Sequence, residues 1–502
     1  MSRSEAPQGR RTVPAPSSPE QVLAKVRQHL AQLSKLMSTP DAARLVLGLL
    51  YLSRAPHSVS KPGVPTWSWL SSRPARPDSG IHRAVGQALA HCLPTFGARD
   101  SDRGVMSLVP VPPAASDALL HSLIEVIGST RQVGLLLDQC LRDLSTAQTD
   151  GSRYFTPRDM AHLMVGAVVP HDRHRVLDPA CGSGGLLVET HRYVSERVGV
   201  SPALSLQGRE QHTPTSQVAA MNLALRAIEA RFLAPGDSLT EPEPELHDII
   251  LANLPFNQRD WAPYTGAGLD RRRPASPVPV DSRWPEGPPP RGSANSAWIQ
   301  HIAHALAPGG RAAFLMADTV AGTRQAAAQR LRERLLRDDQ VECLIALPPR
   351  VFGHARTNTA CLWVLNKDKS ARPGWGTRDR RRQVLFINAR RAFEPVPGSR
   401  ARMLGGKNAA LILETLATWR GLFEDGAAAA PYADRTGWSR SCSSEEIADN
   451  GFSLMPTSYA WEPPSPEQDT RDRIDRLKFE LADQFDRMHD LELRLLDALE
   501  EI

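Results

Sequence analysis

Two short segments carry the residue types from which a group transfer can be built: Asp178-Pro179-Ala180-Cys181-Gly182-Ser183-Gly184-Gly185 and Asn253-Leu254-Pro255-Phe256. The second suits an amino group as acceptor of a methyl. The exocyclic amine of adenine is a poor nucleophile because its lone pair is delocalised into the ring. The Asn253 side-chain oxygen can accept one N–H, and a carbonyl held by the proline, that of Leu254 or Pro255, can accept the other, which aims the nitrogen lone pair at an electrophile. Phe256 offers a face on which the base can stack. No acid or base has to start the attack, so rate would come from orientation and fixed dipoles. The first segment is a glycine turn, in which Gly182 and Gly184 let backbone approach a ligand closely. Its spacing fits neither the Walker phosphate loop nor the dinucleotide fingerprint. What remains is a loop for S-adenosylmethionine, made by Asp178, Ala180, Gly182, Ser183 and Gly184.

Elements of an open α/β sheet are needed to hold these residues. Arg175-Val176-Leu177 is an apolar strand ending in Asp178, and a helical run from Leu186 to Val198 follows the turn, giving the strand, turn and helix of a nucleotide-type site. Two further strand ends present acids. Glu210, after Leu204-Ser205-Leu206-Gln207-Gly208-Arg209, stands where a carboxylate takes two ribose hydroxyls. Asp237, after Pro235-Gly236, is placed to accept from a cofactor adenine amine. His247 to Ala252 is a strand whose carboxyl end delivers Asn253, Pro255 and Phe256 to the edge where such sheets bind ligands. A glycine turn alone is often only a tight turn, and an acid at a strand end only a solvated one. Their order along the chain favours the cofactor reading.

At this point the chain resembles the modification subunits of type I restriction-modification systems, which are adenine-N6 DNA methyltransferases. The likeness runs over about residues 150–395. It rests on Tyr154-Phe155-Thr156-Pro157-Arg158, Met221-Asn222-Leu223, Asn253 to Asn257 with Trp261, Asp281-Ser282-Arg283-Trp284, Ala294 to His301, Ile345 to Pro348 and Cys361 to Lys367. The resemblance implies a class I S-adenosylmethionine-dependent, Rossmann-like fold and double-stranded DNA as substrate, with the target base extruded from the duplex. It further implies a specificity subunit and a restriction subunit as partners. By the same likeness Phe155 and Thr156 hold the methionine end of the cofactor, while Asp178 and Gly182 line its pocket. The chain departs from the family at Leu254, where proline is usual; the Asn-Leu-Pro-aromatic form also occurs in ribosomal-RNA adenine dimethyltransferases. RNA adenine methylation, protein glutamine methylation and a non-catalytic cofactor-binding scaffold therefore stand as alternatives.

Composition agrees with a cytoplasmic bacterial protein without choosing its function. A net charge of +5, from 60 basic against 55 acidic residues, permits a polyanionic partner. The 6 cysteines have no paired spacing, so neither a disulfide framework nor a metal site is expected. No apolar run is long enough for a membrane span. Residues 1–17, rich in Arg, Ser and Pro, read as a disordered leader. Residues 18–148 read as a helical amino-terminal domain, on the spacing of Val22, Val26, Leu30 and Leu33 and of Leu119, Leu123, Val126 and Ile127 around a proline-rich interruption from Pro56 to Pro77. Residues 149–460 form the catalytic domain, with a long Pro, Arg and Gly segment from Pro263 to Pro290 whose Arg271-Arg272-Arg273 is either a phosphate contact or a solvated run.

Residues 465–502 read as a carboxyl-terminal helix for partner docking. Ser465-Pro466 starts it, and Ile474, Leu481, Met488, Leu495 and Ile502 recur every seven residues. Truncation before Ser465 is expected to abolish sequence-specific DNA methylation in the presence of a specificity subunit while leaving S-adenosylmethionine binding unchanged. Co-purification and methylation with full-length and truncated chains measure this. Loss of cofactor binding and a lowered melting temperature would mean instead that the helix covers its own domain.

Overall fold

The computed structural model describes residues 19–54, 63–74, 79–92, 112–130, 133–147, 156–232, 236–258, 261, 281–285, 289, 293–351, 359–396, 402–422 and 431–461. The leader, Phe155, the triple arginine and the carboxyl-terminal helix expected from 465 lie outside the described residues.

In chain order the helices of the amino-terminal part are α1 (Pro19–Leu33), α2 (Thr39–Leu52), α3 (Trp67–Ser72), α4 (Ile81–Cys92), α5 (Asp117–Ser129) and α6 (Val133–Ala147). Then come α7 (Arg158–Val168), β1 (Arg175–Asp178), α8 (Gly185–Val198), β2 (Ser205–Gly208), α9 (Thr213–Ala224), β3 (Arg231–Phe232) and β4 (His247–Asn253). The chain continues through α10 (Asn295–Ala305), β5 (Leu306–Ala317), α11 (Thr319–Gly322), α12 (Ala326–Arg337), β6 (Val341–Ala346), β7 (Ala360–Asn366) and β8 (Gln383–Asn388). A small antiparallel pair, β9 (Glu394–Pro395) with β10 (Arg402–Met403), precedes α13 (Gly406–Arg420) and β11 (Ser439–Ser443).

The chain forms two compact units. One gathers α1 to α6 with residues 180–188 and the stretch containing β2, α9 and β3. Its helices close on a shared core that includes Leu33, Leu45, Leu49, Leu89, Leu120 and Leu123, all fully buried, and that takes in Val218 and Met221 of α9. The first unit thus packs α9 against the same core as the amino-terminal helices. Helix α3 forms inside the stretch whose prolines suggested only an interruption. Thr66 explains it: its side chain accepts the Trp69 N–H at 3.3 Å, capping a turn that composition alone does not reveal. The parallel pair β2 and β3 completes this unit.

The second unit is built on seven consecutive strands in the order β11-β8-β6-β7-β5-β4-β1. β1, β4 and β5 are parallel neighbours, β7 runs antiparallel between β5 and β6, and β11 is antiparallel to β8. Ile249, Ile250, Leu251 and Ala252 are all fully buried, as a strand covered on both faces requires. Leu177 stands opposite Ile250, so the carboxyl ends of β1 and β4, Asp178 and Asn253, come out at one edge of the sheet. This is the α/β architecture expected from the sequence. Among the described residues no helix is long and apolar enough to cross a membrane.

A buried ion cluster fastens α13 to this sheet. Arg420, the last residue of α13, donates from Nε and Nη2 to the two carboxylate oxygens of Glu342 on β6 at 3.1 and 2.7 Å, and from Nη1 to the Ala167 carbonyl of α7 at 2.7 Å. Glu342 and Arg420 are almost wholly buried. Burial alone would raise the Glu342 carboxyl; Arg420, Arg311 and Arg380 outweigh it and hold the group far below the usual carboxylate range. A depressed folded value means that this contribution is complete above the unfolded carboxylate pKa and is lost only as the pH falls to strongly acid values. Glu342→Gln leaves three buried guanidinium groups without their anion, and is expected to destabilise the fold by about 3–5 kcal/mol. Denaturant unfolding reads this out, and a loss below about 1 kcal/mol would show that the cluster contributes little.

Candidate active site

The glycine turn is built by left-handed backbone and closed by a carboxylate. Gly182 has φ 53° and Gly184 φ 79°, conformations that only glycine adopts at no steric cost. A Cβ on Gly184 would also come within 3.3 Å of Leu223 Cδ1 on α9. The Cys181 N–H donates to the Arg209 carbonyl at 2.9 Å and the Gly182 N–H to Glu210 Oε2 at 3.1 Å, while Glu210 Oε1 accepts the His212 N–H at 2.8 Å. Burial pushes the Glu210 carboxyl above its ordinary value, opposed by the N–H groups of His212, Gly182 and Gln211. Three N–H groups do not exhaust the roughly four acceptor sites of a carboxylate. This unit therefore brings together Gly182, Ser183, Gly184 and Glu210 of the expected cofactor set, with Ala180 at the start of the turn and Asp237 half-buried.

Residues of the acceptor segment meet in the other unit. Asn253 is the last residue of β4, and its Nδ2 donates to Thr156 Oγ1 at 3.1 Å. Thr156 is expected at the cofactor's methionine end; in the structure its hydroxyl accepts from the Asn253 amide. With Nδ2 engaged there, Oδ1 is the acceptor that Asn253 has to offer. Leu254 is buried and Pro255 exposed, with Phe256 between these extremes. The Leu254 side chain thus packs inward where the resembled family has proline, and the asparagine and the second proline keep their places in sequence. Asp178 is 1% exposed at the end of β1.

Three side chains that sequence reasoning assigned no role fasten this segment and the loops around it. Asn257, with φ 55°, donates its N–H to Asn295 Oδ1 at 3.0 Å, and Asn295 Nδ2 returns a bond to Asn257 Oδ1 at 2.8 Å. The Ala294 N–H also donates to the Gln258 carbonyl at 2.9 Å. The chain leaving Phe256 is therefore tied to the start of α10. The third is Arg283, 2% exposed. It donates to the Ser238 and Leu239 carbonyls at 2.8 and 2.9 Å and pairs with Asp281 at 2.7 Å, while Ser238 Oγ donates to the Pro179 carbonyl at 2.7 Å. Trp284 lies beside Arg283, its ring 5.9 Å from that of Trp261. The only sequence signal for these roles is that all three fall in segments shared with the resembled family; nothing in their spacing names their partners.

Comparison with known proteins places this arrangement. A family model described as N-6 DNA methylase matches residues 131–468, well over half of the chain. The type I restriction enzyme HindI methylase subunit of Haemophilus influenzae is 34% identical over 319 residues, which cover 62% of this chain and 65% of that relative. The MjaIX methylase subunit of Methanocaldococcus jannaschii is 28% identical over 62% of this chain and 52% of its own length. The chain thus spans less than two thirds of either relative. Among solved structures, the type I restriction-modification system methyltransferase subunit from Streptococcus thermophilus shares the fold, with a TM-score of 0.66 at 17% identity over 88% of this chain and 99% of that one.

Asn295→Ala removes both bonds of the asparagine pair. It is expected to cost about 1–3 kcal/mol of stability and to speed backbone amide exchange selectively over residues 253–258. Exchange by mass spectrometry checks this, and unchanged protection over that peptide would show that the pair does not hold the segment.

Proposed function

The chain belongs to the N-6 DNA methylase family, and on that premise we propose that it transfers the methyl group of S-adenosylmethionine to adenine N6 in double-stranded DNA, as the modification subunit of a type I-like complex. The observation that carries this reading is the Asn253 amide. Its Nδ2 donates to Thr156 Oγ1 at 3.1 Å at the end of β4, which leaves Oδ1 to accept from a target amine.

The residues present fit the cofactor. Backbone of positive φ at Gly182 and Gly184 leaves room for a close ligand, and the buried Glu210 carboxylate, oriented by the N–H groups of Gly182, Gln211 and His212, keeps acceptor capacity for the ribose. Ala180, Ser183 and Asp178 belong to the same turn, Asp237 serves the adenine amine, and Phe155 with Thr156 serves the methionine end. S-adenosylmethionine supplies an electrophilic methyl whose departing thioether keeps the bonding electrons. On the acceptor side, Asn253 Oδ1 and the carbonyl of Leu254 or Pro255 accept the two N–H bonds of the target amine. This directs the nitrogen lone pair outward, and Phe256 holds the flipped base by stacking. After transfer the positively charged amine sheds one proton to solvent, while Asn253 Oδ1 keeps accepting the remaining N–H. Thr156 acts by accepting from Asn253 Nδ2, which holds the side chain at the end of β4.

Partners follow from the same premise. The Streptococcus thermophilus and Haemophilus influenzae relatives are named as subunits of type I systems, which supports a specificity subunit that selects the sequence and a restriction subunit that joins it. The cytoplasm, where DNA and S-adenosylmethionine meet, is the site of action.

Asn253→Ala is expected to lower single-turnover methylation at least about a hundredfold, on the order of 3 kcal/mol for one lost preorganised group, while S-adenosylmethionine affinity stays within about twofold. Digestion of the modified DNA to nucleosides identifies the product. N6-methyladenine supports the reading; methylated RNA or protein in its place, or cofactor binding with no turnover when the partner is present, overturns it.

A further inference from the structure

A line of hydrogen bonds runs from the amino-terminal helices into the glycine turn. Asn222 on α9 is buried, and its Nδ2 donates to the Ser183 carbonyl at 2.8 Å. Its Oδ1 accepts from Arg226 Nε at 3.0 Å. Arg226, just beyond α9, pairs through Nη2 with Asp138 Oδ1 on α6. Ser183 sits between the two glycines of positive φ.

Each link sets the orientation of the next. A primary amide can be turned about so that its oxygen and nitrogen exchange places. Arginine can only donate, however, and a carbonyl can only accept. With Arg226 on one side and the Ser183 carbonyl on the other, only the observed orientation avoids donor against donor and acceptor against acceptor. Arg226 thereby decides that Asn222 donates to the turn. Asp138 in turn decides where the guanidinium points. The side chains of Arg226 and Asp138 are 26% and 43% exposed, so their ion pair adds little stability by itself; its effect is directional. Helix α9 is suited to carry such a signal, since Val218 and Met221 lie in the core of the amino-terminal helices while Ala219 and Leu223 back Gly184.

We infer that Arg226 and Asn222 are positioning residues for the cofactor turn, and that Asp138 makes cofactor affinity depend on the placement of α6. The inference rests on the reading that the turn binds S-adenosylmethionine. Because coupling between two sites is reciprocal, anything that shifts α6 changes cofactor affinity, and cofactor binding pulls on α6 in return.

Calorimetric titration of the full chain with S-adenosylhomocysteine tests this, together with thermal melting and amide exchange over residues 180–188. Arg226→Met and Asn222→Asp, which keeps the acceptor and loses the donor, are each expected to weaken binding about tenfold and to loosen exchange in the turn. Arg226→Lys is expected to recover part of the affinity. Asp138→Asn should weaken binding about threefold in the unaltered chain and not at all when added to Arg226→Met, because the line is already cut. Affinity within twofold of the unaltered chain in Asn222→Asp, or an Asp138→Asn effect that survives in the double variant, overturns the proposal. Should Arg226→Met fail to fold, the exposed Asp138→Asn and the buried Asn222→Asp decide it alone. An unaltered chain that does not bind S-adenosylhomocysteine overturns the cofactor reading itself, an outcome told apart because it precedes any substitution.

Discussion

The shape of the glycine turn depends on one buried carboxylate. A turn that bends through two left-handed residues breaks its own backbone pairing, and its N–H groups need acceptors that water cannot reach to provide. Glu210 supplies one for Gly182 and the Arg209 carbonyl supplies another for Cys181. The same carboxylate is thus scaffold for the turn and the group proposed to take the ribose. Burial raises the cost of its charge, and the N–H groups aimed at it offset that cost. This arrangement ties the conformation of the first cofactor segment to the end of the second strand in sequence, so neither can relax alone.

The parts of this protein that follow local rules were legible before any coordinates. Strand ends at Asp178, Asn253 and Glu210 fall within two residues of their expected places, because apolar runs and the residues that stop them act over short range. What the sequence does not reveal is pairing over distance. That Thr156 meets Asn253, that Asn257 meets Asn295, or that Arg283 reaches Ser238 depends on which strand lies beside which, and no periodicity encodes it. Helix α3 was hidden for a different reason: its prolines lower expectation for the whole window, while a single threonine cap restores the turn. Asn257 also holds a positive φ, which glycine more often fills; its side chain is what makes asparagine the better residue there.

Cations are distributed in this fold by role rather than by surface chemistry. Arg420, Arg380 and Arg311 are buried around Glu342, and Arg283 is buried among carbonyls. Planar guanidinium groups can satisfy several acceptors at once, and Arg420 and Arg283 act as multi-point joints between segments far apart in sequence. Among the described residues seven buried Lys and Arg are matched by seven buried Asp and Glu, so burial leaves the chain's balance of +5 unaltered.

The asparagine pair has a consequence for how this enzyme family can vary. Asn257 and Asn295, with Gln258 and Ala294 beside them, bring the two ends of an intervening stretch into direct contact. Once the ends are joined, the acceptor segment no longer senses how many residues lie between them. Closing a loop twice as long costs only about 0.6 kcal/mol more. Insertions and deletions between the two asparagines are thus cheap for the catalytic edge only where they spare Trp261 and the Asp281-to-Trp284 segment, whose Arg283 and Trp284 are buried.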